Sequence, residues 1–180
     1  TRSINLRAVI FDLDGTLIDS VTPFYGLIVE IFNEIGLQPP SRETINDILG
    51  NGLSIMEIMI PQNMENRNSL IQKGREIGYR LWQRFQQEQL KPFPYTWEIL
   101  EKLKEKKVSR GIATSGEANY IRGLIERGLL PPLEVIVTKE DVSRLKPAPD
   151  IILECLRRLG CPAEGAVYVG DSPIDIKAGK

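Results

Sequence analysis

The chain has 180 residues, 42% hydrophobic and 26% charged, with a formal net charge of -1; this is ordinary globular composition, enough for one core plus a small insert but crowded for two full domains. Acidic and basic residues are mixed throughout, which excludes the one-sided basic field of a nucleic-acid binder, and no apolar run is long enough to span a bilayer. There is no histidine, so Ser-His and Cys-His nucleophile pairs and His-ligated metals are excluded, leaving carboxylates, Lys, Thr or Ser, with a hard, oxygen-seeking cation for any metal.

Cys155 and Cys161 show neither a disulfide nor a zinc pattern, and Cys155 lies in an apolar helical stretch as a small core residue. A reducing, cytoplasmic setting fits this usage. No signal peptide is recognisable, and a start at Thr1 rather than Met is consistent with a trimmed or processed N-terminus.

The first element is Ala8-Val9-Ile10-Phe11, an apolar run that ends in Asp12 and Asp14 and then Gly15. Such a run predicts a buried strand of a parallel sheet. Unpaired carboxylates are too costly inside a sheet, but they are tolerable at a strand's carboxyl end, where open α/β sheets place their ligand crevice. Gly15–Ser20 reads as a loop. Pro23 opens a helical pattern through Ile35, stopped by Gly36 and Gln38-Pro39-Pro40. A second helix starts at Ser41, with Ile45, Ile48 and Leu49 on one face, and the turn Gly50-Asn51-Gly52 interrupts it. Leu53–Ile60 stays apolar as far as Pro61, and a long polar helix follows from about Met64 to Gln89, weakened at Gly74 and Gly78.

From Pro92 the character changes. Helices are expected at Tyr95–Lys106, Asn119–Arg127 and Asp150–Leu159, and strands at Arg110–Thr114, Leu133–Thr138 and Ala166–Val169. Alternating strands and helices predict βαβ units and a Rossmann-like parallel sheet flanked by helices. The expected organisation is an α/β core from residues 1–19 and 92–180, with 20–91 inserted as an α-helical cap. The chain stops at Lys180, one turn or so into a helix, so the α/β core is expected to be C-terminally incomplete.

Each expected strand ends in a polar signature: Asp12 and Asp14, then Thr114-Ser115, then the loop to Lys146, then Asp171 and Asp175. A parallel sheet brings its strand ends to one edge, and carboxylates, a lysine and a hydroxyl around one crevice suit phosphoryl transfer. Asp12 and Asp14 are therefore candidates for the catalytic pair of a Mg²⁺-dependent enzyme acting on phosphate esters. Read singly, Asp12 and Asp14 could be turn formers, Thr114 a structural hydroxyl, Lys146 a surface lysine and Asp175 a helix-start carboxylate.

Together these segments resemble the haloacid dehalogenase-like superfamily of phosphohydrolases. Phe11-Asp12-Leu13-Asp14-Gly15-Thr16-Leu17 resembles its first motif, Ile112-Ala113-Thr114 the second, Lys146-Pro147-Ala148-Pro149 the third and Gly170-Asp171-Ser172-Pro173-Ile174-Asp175 the fourth. The resemblance implies Asp12 as the nucleophile that forms an aspartyl-phosphate and Asp14 as the general acid and base. It implies Thr114, Ser115 and Lys146 as holders of phosphoryl oxygens, Gly116 as a further backbone donor, and Lys146 as a catalytic cation. Mg²⁺ would be held by Asp12, the backbone carbonyl of Asp14 and Asp171, with Asp175 binding a metal water or orienting Lys146. Mg²⁺ and Lys146 would keep Asp12 ionised.

Within that superfamily, Asp14 argues against a dehalogenase, and the absence of lysine from residues 21–72 argues against a Schiff-base phosphonate hydrolase. Thr16 after Gly15 is more typical of phosphatases than of the sugar phosphomutases, which remain the alternative; a catalytically silent binding or regulatory protein is the alternative from another class. Gly50-Asn51-Gly52 resembles a turn in the caps of phosphoglycolate phosphatases; such a glycine turn lets backbone approach a ligand closely, which makes these residues candidate substrate contacts, but it equally well just joins two helices. Arg42, Arg67, Arg75, Arg80 and Arg84 are candidates to meet an anionic substrate, with a solvated helix face the ordinary reading for most of them. The expected partner is a small phosphorylated metabolite, with 2-phosphoglycolate the leading guess, and neither nucleic acid nor membrane. Oligomeric state cannot be read from the sequence.

Overall fold

The apolar run Ala8–Phe11 forms β1, buried at all four positions. A computed structural model describes residues 5–50 and 54–180, and the chain divides into two compact units, Thr1–Asp19 with Lys91–Lys180 and Ser20–Leu90. After β1 the chain turns tightly, with Leu13 O accepting from the Leu17 and Ile18 amides at 2.9 and 3.0 Å. It then makes a two-residue strand, β2 (Ile18–Asp19), where the sequence suggested only loop. A strand this short carries no periodicity for a sequence pattern to reveal.

The helical unit holds α1 (Val21–Glu34), α2 (Arg42–Gly50), α3 (Ile55–Met59) and α4 (Arg67–Gln89). Its core joins Leu27, Ile28, Ile31 and Phe32 of α1 to Ile71, Ile77, Leu81 and Phe85 of α4, with Ile45 and Ile55 from the helices between. Among its described residues there is no strand, as the sequence pattern implied. Gly74 and Gly78, which weaken a helix in isolation, sit where α4 approaches its neighbours. A Cβ on Gly74 would collide with the Met56 methyl and lie 3.4 Å from Ile31 Cγ2, and one on Gly78 would lie 3.2 Å from Ile31 Cδ1. Close packing offsets the propensity cost here.

The chain re-enters the sheet-bearing unit as β3 (Lys91–Pro92), antiparallel to β2, so Lys91 pairs with Asp19. Then follow α5 (Thr96–Glu105), β4 (Ser109–Ala113), α6 (Ala118–Glu126), β5 (Val135–Val137), α7 (Asp150–Leu159), β6 (Ala166–Val169) and α8 (Pro173–Ala178). The main sheet has four parallel strands in the order β5-β4-β1-β6. Right-handed crossovers through helices are the usual way to make such neighbours parallel. α7 supplies Ile151, Ile152, Cys155 and Leu156 to a core with Ile10, Ala113 and Val137. Gly111 leaves room for this packing, since a Cβ there would reach 2.5 Å from Cys155 Sγ. Burial pushes the Cys155 thiol up to about 12, which fits a core residue and not a nucleophile. Both cysteines are free thiols. Among the described residues no helix is long and apolar enough to cross a membrane.

The register matters most for function. Phe11 is level with Ile112 on one side and Val169 on the other. The residues that follow each strand therefore emerge side by side at one sheet edge.

Candidate active site

Asp12 follows β1 directly and donates its backbone N–H to Val169 O at 2.8 Å, which carries the strand register into the site. Its carboxylate is almost fully enclosed, with the residue 8% exposed. Lys146, whose peptide bond to Pro147 is cis, brings its ammonium to the same place. The Nζ lies 2.7 Å from Asp12 Oδ1, 2.7 Å from Asp175 Oδ1 and 3.0 Å from the Tyr168 hydroxyl. One buried cation thus joins two buried carboxylates, and all three side chains are 11% exposed or less.

The two carboxylates respond differently to their surroundings. Burial pushes Asp12 up to about 7; Lys146 pulls it down and the neighbouring Asp175 charge pushes it up again. Without a metal Asp12 therefore sits near 7, with Lys146 acting toward the ionised form as the sequence reading expected of it. Burial also acts to raise Asp175, but hydrogen bonds from Lys146 and Ser172 outweigh it and hold that carboxyl below its ordinary value. Asp175 Oδ2 accepts from the Ser172 amide at 3.1 Å and hydroxyl at 2.6 Å, a capping box at the start of α8, while Oδ1 accepts from Lys146 and, at 2.7 Å, from Tyr168. Gly170 permits this approach: a Cβ on it would lie 2.5 Å from Asp175 Cβ.

Asp14 sits two residues beyond Asp12, just before a backbone reversal at Gly15 (φ 82°). Glycine is needed at that position on two counts. An L side chain is disfavoured at this φ, and a Cβ would fall 2.7 Å from Asp171 Cγ. The same turn places Thr16 Oγ1 where it donates to Asp171 Oδ1 at 3.0 Å. Asp14 Oδ1 accepts from the Tyr120 hydroxyl at 2.8 Å. Burial, and then the Asp14 charge, raise the Tyr120 phenol above its ordinary value, so it stays a donor.

Thr114, 2% exposed at the end of β4, accepts the Gly116 N–H on its Oγ1 at 3.0 Å. That amide, a candidate phosphate donor from the sequence, is thus engaged inside the loop; the Thr114 hydroxyl still has its own proton to donate. Ser115 is exposed in the same loop. Oxygens of Asp12, Asp171 and Asp175 all lie within 4.8 Å of one another, an all-carboxylate donor set that fits a hard divalent cation. Asp175 already has both oxygens in hydrogen bonds, which leaves Asp12 and Asp171 as the better placed direct ligands.

The structure therefore brings Asp12, Lys146, Asp171 and Asp175 together, with Asp14 beside Thr114's loop. Tyr120, Tyr168 and Ser172 complete the cluster and were not singled out from sequence. Only Ser172, three residues before Asp175, carries a local signature, that of a helix cap. The arginines of the helical unit have partners within that unit. Arg75, Arg80 and Arg84 pair with Glu57, Glu34 and Glu30, Arg67 donates to the carbonyls of Ile60 and Glu57, and Arg42 donates to Thr22. Gly50 closes α2, while Asn51 and Gly52 lie outside the described residues.

Comparison with known proteins gives a consistent picture. The chain is 28% identical over 178 residues to the pyrophosphatase PpaX of Oceanobacillus iheyensis, covering 98% of this chain and 80% of the relative. It is 27% identical over 196 residues to a phosphoglycolate phosphatase of Salmonella typhimurium, covering 98% and 78% respectively. A crystal structure of a HAD-superfamily hydrolase of subfamily IA from Geobacter sulfurreducens superposes with a TM-score of 0.73 at 24% identity, covering 98% of this chain and 83% of that one, and shares the fold. The family model for haloacid dehalogenase-like hydrolases matches residues 9–180, from inside β1 to the last residue, and the chain belongs to that family.

Proposed function

We propose that this chain is a Mg²⁺-dependent phosphatase that hydrolyses a small phosphate monoester through an aspartyl-phosphate on Asp12. The observation that carries the proposal is the Lys146 ammonium held 2.7 Å from both Asp12 and Asp175, with a second carboxylate, Asp14, two residues from the first. Asp12 attacks phosphorus as the bond to the ester oxygen breaks, and Asp14 gives that oxygen its proton. Asp14 then takes a proton from water, whose oxygen attacks phosphorus and releases phosphate and Asp12. Lys146 and Thr114 offset charge on the phosphoryl oxygens, and Asp175 orients Lys146. Mg²⁺, held by Asp12, Asp171 and the Asp14 carbonyl, would neutralise phosphoryl charge when bound.

The helical unit takes the part of a cap that selects the leaving group, and Gly50, Asn51 and Gly52 are the proposed substrate contacts. A relative named phosphoglycolate phosphatase supports 2-phosphoglycolate as substrate. The relative named a pyrophosphatase supports inorganic pyrophosphate as the second reading. The free thiols Cys155 and Cys161 suit a reducing, cytoplasmic setting.

The test is phosphate release from an aryl phosphate with and without Mg²⁺, by wild type and Asp12→Asn. Loss of at least ~1,000-fold in the variant is expected, and equal rates or indifference to Mg²⁺ would overturn the mechanism. A panel containing 2-phosphoglycolate, pyrophosphate, hexose phosphates and nucleotides then ranks substrates, and equal turnover of all removes the substrate assignment. A phosphomutase would interconvert sugar phosphates without releasing phosphate.

A further inference from the structure

We propose that Tyr168 is a positioning residue that holds, before a phosphate ester binds, the Lys146 proton that a phosphoryl oxygen then takes; this rests on the role proposed above for Lys146 as a holder of phosphoryl oxygens. An ammonium has three protons to donate and accepts none. Lys146 Nζ has three partners, Asp12 Oδ1 at 2.7 Å, Asp175 Oδ1 at 2.7 Å and the Tyr168 hydroxyl at 3.0 Å. The lysine side chain is 3% exposed, so solvent hardly competes for these protons. All three protons are thus committed, and Lys146 can hold a phosphoryl oxygen only by releasing one of its partners.

The three partners are not equivalent. The bonds to Asp12 and Asp175 join opposite charges, and the bond to Tyr168 lacks that Coulomb attraction and is the longest of the three. Releasing either carboxylate would leave a buried negative charge short of its counter-ion just as an anion arrives. Releasing the phenol leaves no such charge, and its own proton stays bonded to Asp175 Oδ1 at 2.7 Å. Tyr168 lies on β6, the strand beside β1, and packs against the core that includes Ile10 and Ala113. Lys146 Nζ is 5.7 Å from the centre of its ring. The phenol is therefore a fixed acceptor, and the ammonium on its flexible four-carbon stem is the group that shifts. Because this bond must break, Tyr168 weakens the hold on substrate and released phosphate alike.

The consequence is a gain of affinity on deleting a hydroxyl, which damage to the fold does not produce. The probe is orthovanadate, a phosphate-like oxyanion, as a competitive inhibitor of p-nitrophenyl phosphate hydrolysis in Mg²⁺; an inhibition constant is independent of the fraction of protein that is active. Tyr168→Phe, which keeps the ring and leaves Asp175 Oδ1 bonded to Lys146, should lower that constant by roughly 3- to 10-fold, the net worth of one hydrogen bond. Lys146→Met, or Lys146→Gln where the first does not fold, should raise it by about tenfold or more. Tyr168→Phe added to either should change nothing further, because the two residues act through one bond. A constant unchanged or raised in Tyr168→Phe would overturn the proposal, since the phosphoryl oxygen then displaces a carboxylate or the tyrosine merely supports the lysine. So would a gain that persists without Lys146. If the Lys146 variant binds orthovanadate as wild type does, or the ion does not inhibit wild type at all, the reading of Lys146 as a phosphoryl holder has failed and takes the role of Tyr168 with it. If the Lys146 variant loses affinity and Tyr168→Phe does not gain it, the failure is confined to Tyr168.

Discussion

The helical unit and the sheet-bearing unit carry ion pairs of nearly the same length in very different surroundings. Arg75–Glu57, Arg80–Glu34 and Arg84–Glu30 measure 2.6, 2.7 and 2.8 Å, on side chains 43–62% exposed. Lys146 lies 2.7 Å from both Asp12 and Asp175, on side chains no more than 11% exposed. Distance therefore says little about what either set contributes. In water the exposed pairs exchange one set of solvated charges for another and are screened by salt. In the enclosed site neither Lys146 nor its carboxylates can fall back on solvent, so each group depends on the others and Asp12 is held close to neutral pH. The first arrangement is a solvated surface that ties helices together; the second is a buried cluster of mutually dependent charges in which a carboxyl pKa is strongly shifted.

The sharpest way to break the contrast is to remove the cation from each set. Lys146→Met should lower phosphatase kcat by roughly 100- to 1,000-fold. It should also destabilise the fold by about 3–5 kcal/mol at neutral pH, because two buried carboxylates lose their counter-charge. Denaturant unfolding and steady-state kinetics check the two effects separately.

A pH series tests the buried carboxylate itself in metal-free protein. Asp12 has a raised folded-state value, about 7 against 3.8. The native state thus binds more protons than the unfolded state between these limits, and stability falls as pH rises from about 4 through 7. Asp12→Asn should remove this slope, so the variant gains on wild type by up to a few kcal/mol above pH 7. Chemical melts in EDTA at pH 4.5 and 8 measure it; parallel curves would show that Asp12 does not titrate as described.

Gly15→Ala should come next, costing about 1–3 kcal/mol from the disfavoured φ and the contact with Asp171. Its effect on activity should exceed what the stability loss explains, because Asp171 must move. A thermal melt beside a rate assay at 20 °C separates the two. Arg80→Ala should do least, shifting stability by less than about 1 kcal/mol and by still less in 1 M salt. A loss of several kcal/mol there would erase the distinction between the two sets.

Much of the fold can be read from local pattern, and particular elements show why. α7 spans Asp150–Leu159, the range expected from its apolar spacing, and ends at Gly160 in the left-handed conformation (φ 61°) that glycine adopts at helix C-termini. β6 occupies Ala166–Val169, bounded by Gly165 and Gly170. β2 and β3 were not legible, being two residues each and held by pairing across some 70 residues of sequence. The arginines of α4 could be read from charge alone either as anion binders or as solvated faces, and the glutamate partners of Arg75, Arg80 and Arg84 on α1 and α3 appear only once the helices pack.

At the site the same division holds. The strand-ending aspartates, the Gly15 reversal and the Lys146-Pro147 and Gly170-Asp171 segments stand out in the chain because each is a local break in an apolar or periodic run. Which oxygen of Asp14 meets Tyr120, that Lys146 and Tyr168 meet at one oxygen of Asp175, and how far burial lifts Asp12 are decided by side chains 7 to 134 residues apart. Backbone period and turn chemistry are set by near neighbours and leave their mark in sequence. Hydrogen-bond partners and desolvation depend on which distant groups the folded sheet places within 3 Å, and only the tertiary structure specifies that.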